Sequence, residues 1–390
     1  MKRIGLLACV LGAQLLSGCA LMNERPAPAV PTALFDDSAF EAPSQRIDPA
    51  EVFAMSPAMK RYLEVEVAPQ IRRLGPQRGL VDALYNRAQL KLDYDAEGTR
   101  NAAEAFDARS GNCLALVVMT AALAKYLHLP VTYQAVLGYE TWSRSSGLTL
   151  VNGHVNIAVG KRVVDIVPGL DSDTQLRLTF GPLPRGRRVK LEPLAEQTVV
   201  AMFMTNRAAE SLVGENLADA YAYAREAIRQ DPSYPSGFNT LGVIYQRRGL
   251  DVLAERAFQA SLERQLNNPT ALRNLAKLLD AQDRSVESAP LHERLARLER
   301  DPPFRHFDLG RTAAIAGDYG AARDHILREL KRDPDYHELH FWLAVALAGL
   351  GDAAGAREHL TRAMDNSSTR RERAIYAGKL ARLPAATRAN

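Results

Sequence analysis

The second half of the chain repeats itself every 34 residues, and that period constrains the fold more than any other feature of the 390-residue sequence. From about Ala201, small residues recur at Ala208, Gly242, Ala276, Gly310 and Ala344. A second series runs Ala220, Ala254, Ser288, Ala322 and Ala356. A third, mostly larger, runs Ala224, Phe258, His292, Ile326 and Leu360, and a fourth holds Leu241, Leu275, Leu309 and Leu343, with Arg207 as its misfit. Asp231-Pro232 and Asp333-Pro334 close two of the units. A period of this length is one supersecondary unit that cannot bury its apolar face alone, so neighbours must stack. Small residues let two helices of a unit approach closely, and larger ones fill the space between units. Five units are in phase; the third (Pro269 to Pro302) is the most diverged, with Pro290 inside its second helix, and Thr369 to Leu383 reads as a final capping helix.

Period and pattern resemble tetratricopeptide repeats. The resemblance implies an all-α solenoid over residues 196–390 with a concave groove that takes up a protein or peptide. It also implies that Asn239, Arg247, Arg273, Lys277 and Arg311 point towards the groove, which would suit an acidic or extended peptide partner.

The first half is organised around Arg109 to Leu129. Cys113 follows Gly111 and Asn112 and opens a run that is apolar from Leu114 to Ala124, broken only by Thr120. A run with no polar face is the mark of a helix buried on all sides, and it is too long for one strand. Asn112 reads as its N-cap. Cys113 would then meet the positive end of the helix dipole, and its pKa is expected to fall below that of a free thiol.

Upstream, Pro49 to Ala54, Pro57 to Leu74 and Arg78 to Leu92 read as helices, the second kinked or split by Pro69. Downstream, Val131 to Leu137 reads as a strand, Tyr139 to Gly147 as a polar loop carrying Trp142, and His154 to Val159 as a second strand. Gly160-Lys161 reads as a hairpin turn into a return strand, Arg162 to Val167. That register sets Val159 against Arg162 and makes His154 and Asp165 a diagonal pair on one face, with Cα atoms about 7–8 Å apart.

A helix-borne cysteine, a strand histidine and a later carboxylate follow the order of transglutaminase-like cysteine proteins, a branch of the papain-like fold. The resemblance is carried by Thr99 to Leu114 (T-R-N-A-A-E-A-F-D-A-R-S-G-N-C-L), Gly153 to Val159 (G-H-V-N-I-A-V) and Val163 to Pro168 (V-V-D-I-V-P). It implies an α+β papain-like domain over residues 47–195, with Cys113 as nucleophile, His154 as base and Asp165 as the orienting acid. In such a site the sulfur attacks an amide carbonyl, and the acyl-enzyme is resolved by water or by an amine. No acceptor site is evident, so hydrolysis is favoured over transfer. Trp142 is a loop anchor or a substrate platform.

Lys2 and Arg3 precede an apolar stretch, Ile4 to Leu16, which reads as an export signal too short to span a bilayer comfortably. Leu16-Ser17-Gly18-Cys19 then resembles the lipobox of bacterial lipoproteins, which implies cleavage after residue 18 and acylation, palmitate included, at Cys19. Ala20 at the next position implies the outer membrane, with the protein facing the periplasm. Residues 19–46, rich in Pro and Ala, read as a flexible tether. Of the three cysteines only Cys113 would remain free in the mature chain, so no internal disulfide can form.

A formal charge of +4 gives no general basic field, and the clusters Arg185 to Lys190 and Arg370 to Arg373 accompany no nucleic-acid motif, so no nucleic-acid partner is expected. No cofactor is implied, and no metal either, since His337-Glu338-Leu339-His340 lacks the H-E-x-x-H spacing. Two functions fit the whole: an envelope-anchored thiol amidohydrolase or acyl transferase with a partner-binding array, or a non-catalytic scaffold lipoprotein that assembles an envelope complex through its repeats.

Overall fold

The computed structural model describes residues 29–85, 90, 92–96, 98–145, 148–165, 174–181, 189–299, 304–367 and 370–382. The helical entry is α1 (Pro57–Arg61), a π-helical turn over Tyr62–Glu66, α2 (Ala68–Leu74) and α3 (Pro76–Tyr85). Pro69 lies in the first turn of α2, where its missing N–H costs nothing, so the expected single helix is split there. Gly79 of α3 packs directly on α2: a Cβ there would fall 2.8 Å from the Cα of Ile71. The segment Pro49–Phe53 is 3-10 rather than α-helical, started by the Asp48 side chain, which accepts from the Ala50 amide.

Next come β1 (Asp93–Tyr94), α4 (Ala102–Ala108), β2 (Ser110–Gly111) and α5 (Cys113–Tyr126). Every residue of α5 from Leu114 to Ala124 is buried, as its unbroken apolar run requires. Its polar Thr120 is enclosed with them.

The sheet departs from the expected hairpin. Strand β3 (Val131–Ser145) continues through the stretch read as a loop, with a register shift between Val136 and Glu140, and pairs antiparallel with β4 (Leu148–Gly160), ending with Ser145 opposite Leu148. The chain does not turn back at Gly160-Lys161. Val163–Asp165 is a 3-10 turn, and the strand beside β4 is β5 (Gln175–Leu178), which sets Val159 opposite Leu176. With β6 (Lys190–Leu194) the order is β5-β4-β3-β6. The diagonal His154–Asp165 register therefore does not exist, because Val159 faces Val131 and Leu176 instead of Arg162.

The repeats follow as antiparallel helix pairs: α6 (Glu196–Val213) with α7 (Leu217–Gln230), α8 (Pro235–Arg248) with α9 (Asp251–Arg264), and α10 (Pro269–Asp280) with α11 (Ser285–Leu298). Beyond them lie α12 (Arg305–Ile315) with α13 (Tyr319–Leu330), α14 (His337–Gly349) with α15 (Ala353–Asp365), and the terminal α16 (Arg370–Arg382). The small and large series meet inside the second and fourth units. A Cβ on Gly242 would fall 2.4 Å from the Phe258 ring, and one on Gly310 would fall 2.7 Å from Ile326. Pro290 sits within α11 without breaking it; only Ser288 of that helix is buried, so the lost backbone bond falls on an exposed element.

Two features organise the whole. One apolar core runs from Leu34 to Leu279 and takes in the sheet, α5 and the helices through α10, whereas the buried apolar residues from Phe304 onward form three small groups among the described residues. The stretch read as a tether is also docked over its second half. The Tyr221 hydroxyl donates to Asp37 at 2.6 Å and Arg225 pairs with the same carboxylate at 2.6 Å. Phe40 stacks on Tyr221 at 4.1 Å, and the backbone and hydroxyl of Ser44 both donate to the buried Asp219 at 2.6 Å. Pro and Ala content predicts a free chain; side chains on α7 and α8 hold it instead.

Candidate functional site

The thiol site is built on a fixed loop. Asn101 and Glu104 form a reciprocal capping box at the start of α4. Arg109 then takes a left-handed conformation (φ 51°) that turns the chain into β2. The Asp93 and Asp95 amides donate to the carbonyls of Arg109 and Gly111, each at 3.0 Å, and Arg100 pairs with Asp95 at 3.0 Å. Asn112 caps α5 as expected, accepting from the Ala115 amide at 2.9 Å. Its side-chain amide donates to the Thr99 hydroxyl at 2.9 Å, and the Thr99 backbone donates to Glu210 of α6 at 2.7 Å. The cap of the thiol helix is thus tied, through Thr99, to the first repeat helix.

Cys113 starts α5, and its Sγ lies 3.9 Å from the carbonyl oxygen of Gly153 while accepting the amide hydrogen of Val155. These two backbone groups flank His154, so the sulfur meets the edge of β4 at the position that carries the imidazole. The strand β5 begins pairing only at Ile157, which leaves that edge to the thiol. Val155, Ile157 and Val159 enter the core shared with α5. By alternation His154 and Asn156 lie on the other face, with Val136 opposite His154.

The electrostatics correct the expectation for the thiol. Burial pushes the Cys113 pKa up, and the amides of Val155, Leu114 and Cys113 only partly offset this. The helix N-terminus does favour the anion, but removing the sulfur from water costs more. Burial likewise lowers the pKa of His154, opposed by the side chain of Asn156. That asparagine was not singled out in the sequence; its place two residues after His154 on one strand is the signal that could have found it. Glu210, missed for lack of any local pattern, is raised by burial against its bonds to Thr99 and its pairing with Arg207.

The side chains of Asp165 and Trp142, and all of Cys19, lie outside the described residues. Among the groove candidates, Asn239 accepts from Asn274 at 3.0 Å and Arg273 pairs with Glu299. Arg247, Lys277 and Arg311 are exposed on α8, α10 and α12, and Arg311 lies 6.0 Å from the Phe307 ring. No helix among the described residues is long and apolar enough to cross a membrane.

Residues 307–370 match the tetratricopeptide repeat family model. That stretch, from α12 through α15, is tetratricopeptide-repeat sequence. Among solved structures the chain is similar to YrrB, a repeat protein described as having an unusual peptide-binding site, at 21% identity over 46% of this chain and 92% of that one, with a TM-score of 0.25. It is also similar to TTC0263, a thermophilic repeat protein of Thermus thermophilus (16% identity, 46% and 99% covered, TM-score 0.31), and to pilF of Pseudomonas aeruginosa (18%, 50% and 96%, 0.28). No curated protein matches the chain.

Proposed function

We propose that the chain is a protein-binding adaptor whose tetratricopeptide array takes up an extended, acidic segment of a partner, with the thiol domain fused to it as a rigid module. The observation that carries this reading is the array itself, with exposed Arg247, Lys277 and Arg311 on the first helices of successive units. Charges so placed attract an acidic chain and set its register. The test is anisotropy of a labelled acidic peptide with the full chain in detergent. Lys277→Glu with Arg311→Glu should weaken binding at least about tenfold, a loss of roughly 1.4 kcal/mol, and Cys113→Ala should leave it unchanged. Equal affinity in the charge-reversed protein would remove the groove from the account.

A second reading, a thiol amidohydrolase or acyl transferase using Cys113, His154 and Asp165, is supported by the sulfur's place at the start of α5 beside the strand segment that bears His154. The two readings part on thiol reactivity. The adaptor predicts that Cys113 alkylates no faster than an ordinary thiol near pH 6, because burial raises its pKa, and that His154→Ala changes nothing. Rapid alkylation at that pH, abolished by His154→Ala, would establish the enzyme.

Anchoring to the outer membrane through acylated Cys19 belongs to the same reading and rests on the Leu16-Ser17-Gly18-Cys19 pattern. Labelled palmitate should enter the native chain in a Gram-negative host and not Cys19→Ser.

A further inference from the structure

The fourth and fifth units share a feature that packing does not require. His306 on α12 and His325 on α13 bring their Nδ1 atoms to 3.1 Å, and His340 on α14 and His359 on α15 bring theirs to 3.0 Å. Both members shift by one 34-residue period between the pairs, and the ring geometry repeats: centroids 5.4 and 5.2 Å apart, planes inclined by 24° and 22°. The second and third units hold Phe238 with Ala257 and Leu272 with Leu291 at these positions, so apolar residues satisfy the template.

The tautomer of one ring is set. His340 Nε2 lies 2.9 Å from the Pro334 carbonyl oxygen, which can only accept, so Nε2 carries the proton and Nδ1 presents its lone pair to His359. A ring N–H held by a backbone carbonyl is how a metal-ligating imidazole is oriented. The other pair is held from the backbone, since the His306 amide donates to the buried Glu329 at 3.1 Å.

We propose that each pair is a bis-imidazole site for a divalent transition ion of the copper(II) or nickel(II) type, bound through two Nδ1 atoms with water in the remaining positions. With nitrogen–metal bonds of about 2.0–2.1 Å, the observed separations of 3.0 and 3.1 Å subtend roughly 95° at the ion. That is the cis angle of square-planar and octahedral sites. A tetrahedral ion would need nitrogens about 3.4 Å apart at the same bond length. Binding takes no net proton from the neutral pair: the proton of His359 moves from Nδ1 to Nε2 and the ion takes its place. His340 is enclosed, while His306, His325 and His359 are half-buried and give the ion its approach. The H-E-L-H run contributes only its second histidine, because His337 is engaged with Tyr376 and Glu372. Among the described residues no three His, Cys, Asp or Glu side chains converge, so the sites are exchangeable two-ligand sites.

The test is calorimetric titration of the untagged, detergent-solubilised full chain with nickel chloride, in a Cys113→Ser background to remove the thiol. Two equivalents are expected, falling to one in His359→Leu and to none in His325→Leu with His359→Leu. Leucine is the third unit's residue at this position, so these variants keep the fold, which circular dichroism checks. Two equivalents retained in the double variant, or no uptake in the native chain at millimolar nickel, would overturn the proposal.

Discussion

The units before and after the third repeat are built on one template and are embedded differently. Helices α6 to α10 share a single core with the sheet and α5, so the first repeats are the foundation of the thiol domain as much as a binding array. The helices from α12 onward keep the same small-against-large contacts but bury them in small separate groups. Periodicity sets how helices pair within a unit. What that pair adds to the stability of the whole depends on what lies beside it.

The sharpest way to break that contrast is to cut equivalent positions. Phe258 and Ile326 belong to one series and are both fully buried. Phe258→Ala should cost about 3–5 kcal/mol and Ile326→Ala about 2–5 kcal/mol. The difference is in reach: hydrogen exchange should show the sheet and α5 loosening with α8 and α9 in the first variant, and only α12 to α16 loosening in the second. Protection of α5 unchanged by Phe258→Ala would mean that the shared core is not one cooperative unit.

A smaller effect probes the junction itself. Glu210 holds the Thr99 amide, which is buried, so Glu210→Ala leaves a donor without its acceptor and should cost about 1–3 kcal/mol. Burial raises the Glu210 pKa, so its ionised form is the less favoured one in the fold. Stability from this group is fullest below its ordinary value of 4.5 and falls as pH rises through the higher folded value. Glu210→Gln keeps an acceptor without the charge. Urea midpoints from pH 4 to 8 should therefore fall less in Glu210→Gln than in the native chain; parallel profiles would mean that the carboxylate does not titrate there.

The array and the thiol helix were legible because their signals are local. A 34-residue period with Gly242 facing Phe258 leaves little freedom, and Asn112 before an all-apolar run announces α5. The sheet was not, because register is decided by the partner strand: Gly160-Lys161 looks like a turn, yet β4 is placed by Val131 and Leu176 across it. The docked strap was hidden for the same reason, since Asp37 finds Tyr221 184 positions away. The low pKa expected of the thiol is not found, because a helix N-terminus is visible in sequence and the burial that opposes it is not.

The smallest predicted effect lies at the far end of the array. Tyr376 of α16 meets His337 of α14, with its hydroxyl 2.8 Å from Nδ1, and His337 Nε2 lies 3.5 Å from Glu372. An N–H directed at the carboxylate leaves Nδ1 to accept from the tyrosine hydroxyl. Tyr376→Phe keeps the ring that stacks on Phe341 at 5.6 Å and deletes only that donor, so the cost should be about 1 kcal/mol. Because α16 packs in one small group with α14 and α15, the loss should stay near it: exchange in α16 speeds up roughly fivefold, as 1 kcal/mol implies, while α6 to α10 are unmoved. Acceleration spreading to α8 would show that the two halves of the array communicate despite their separate cores.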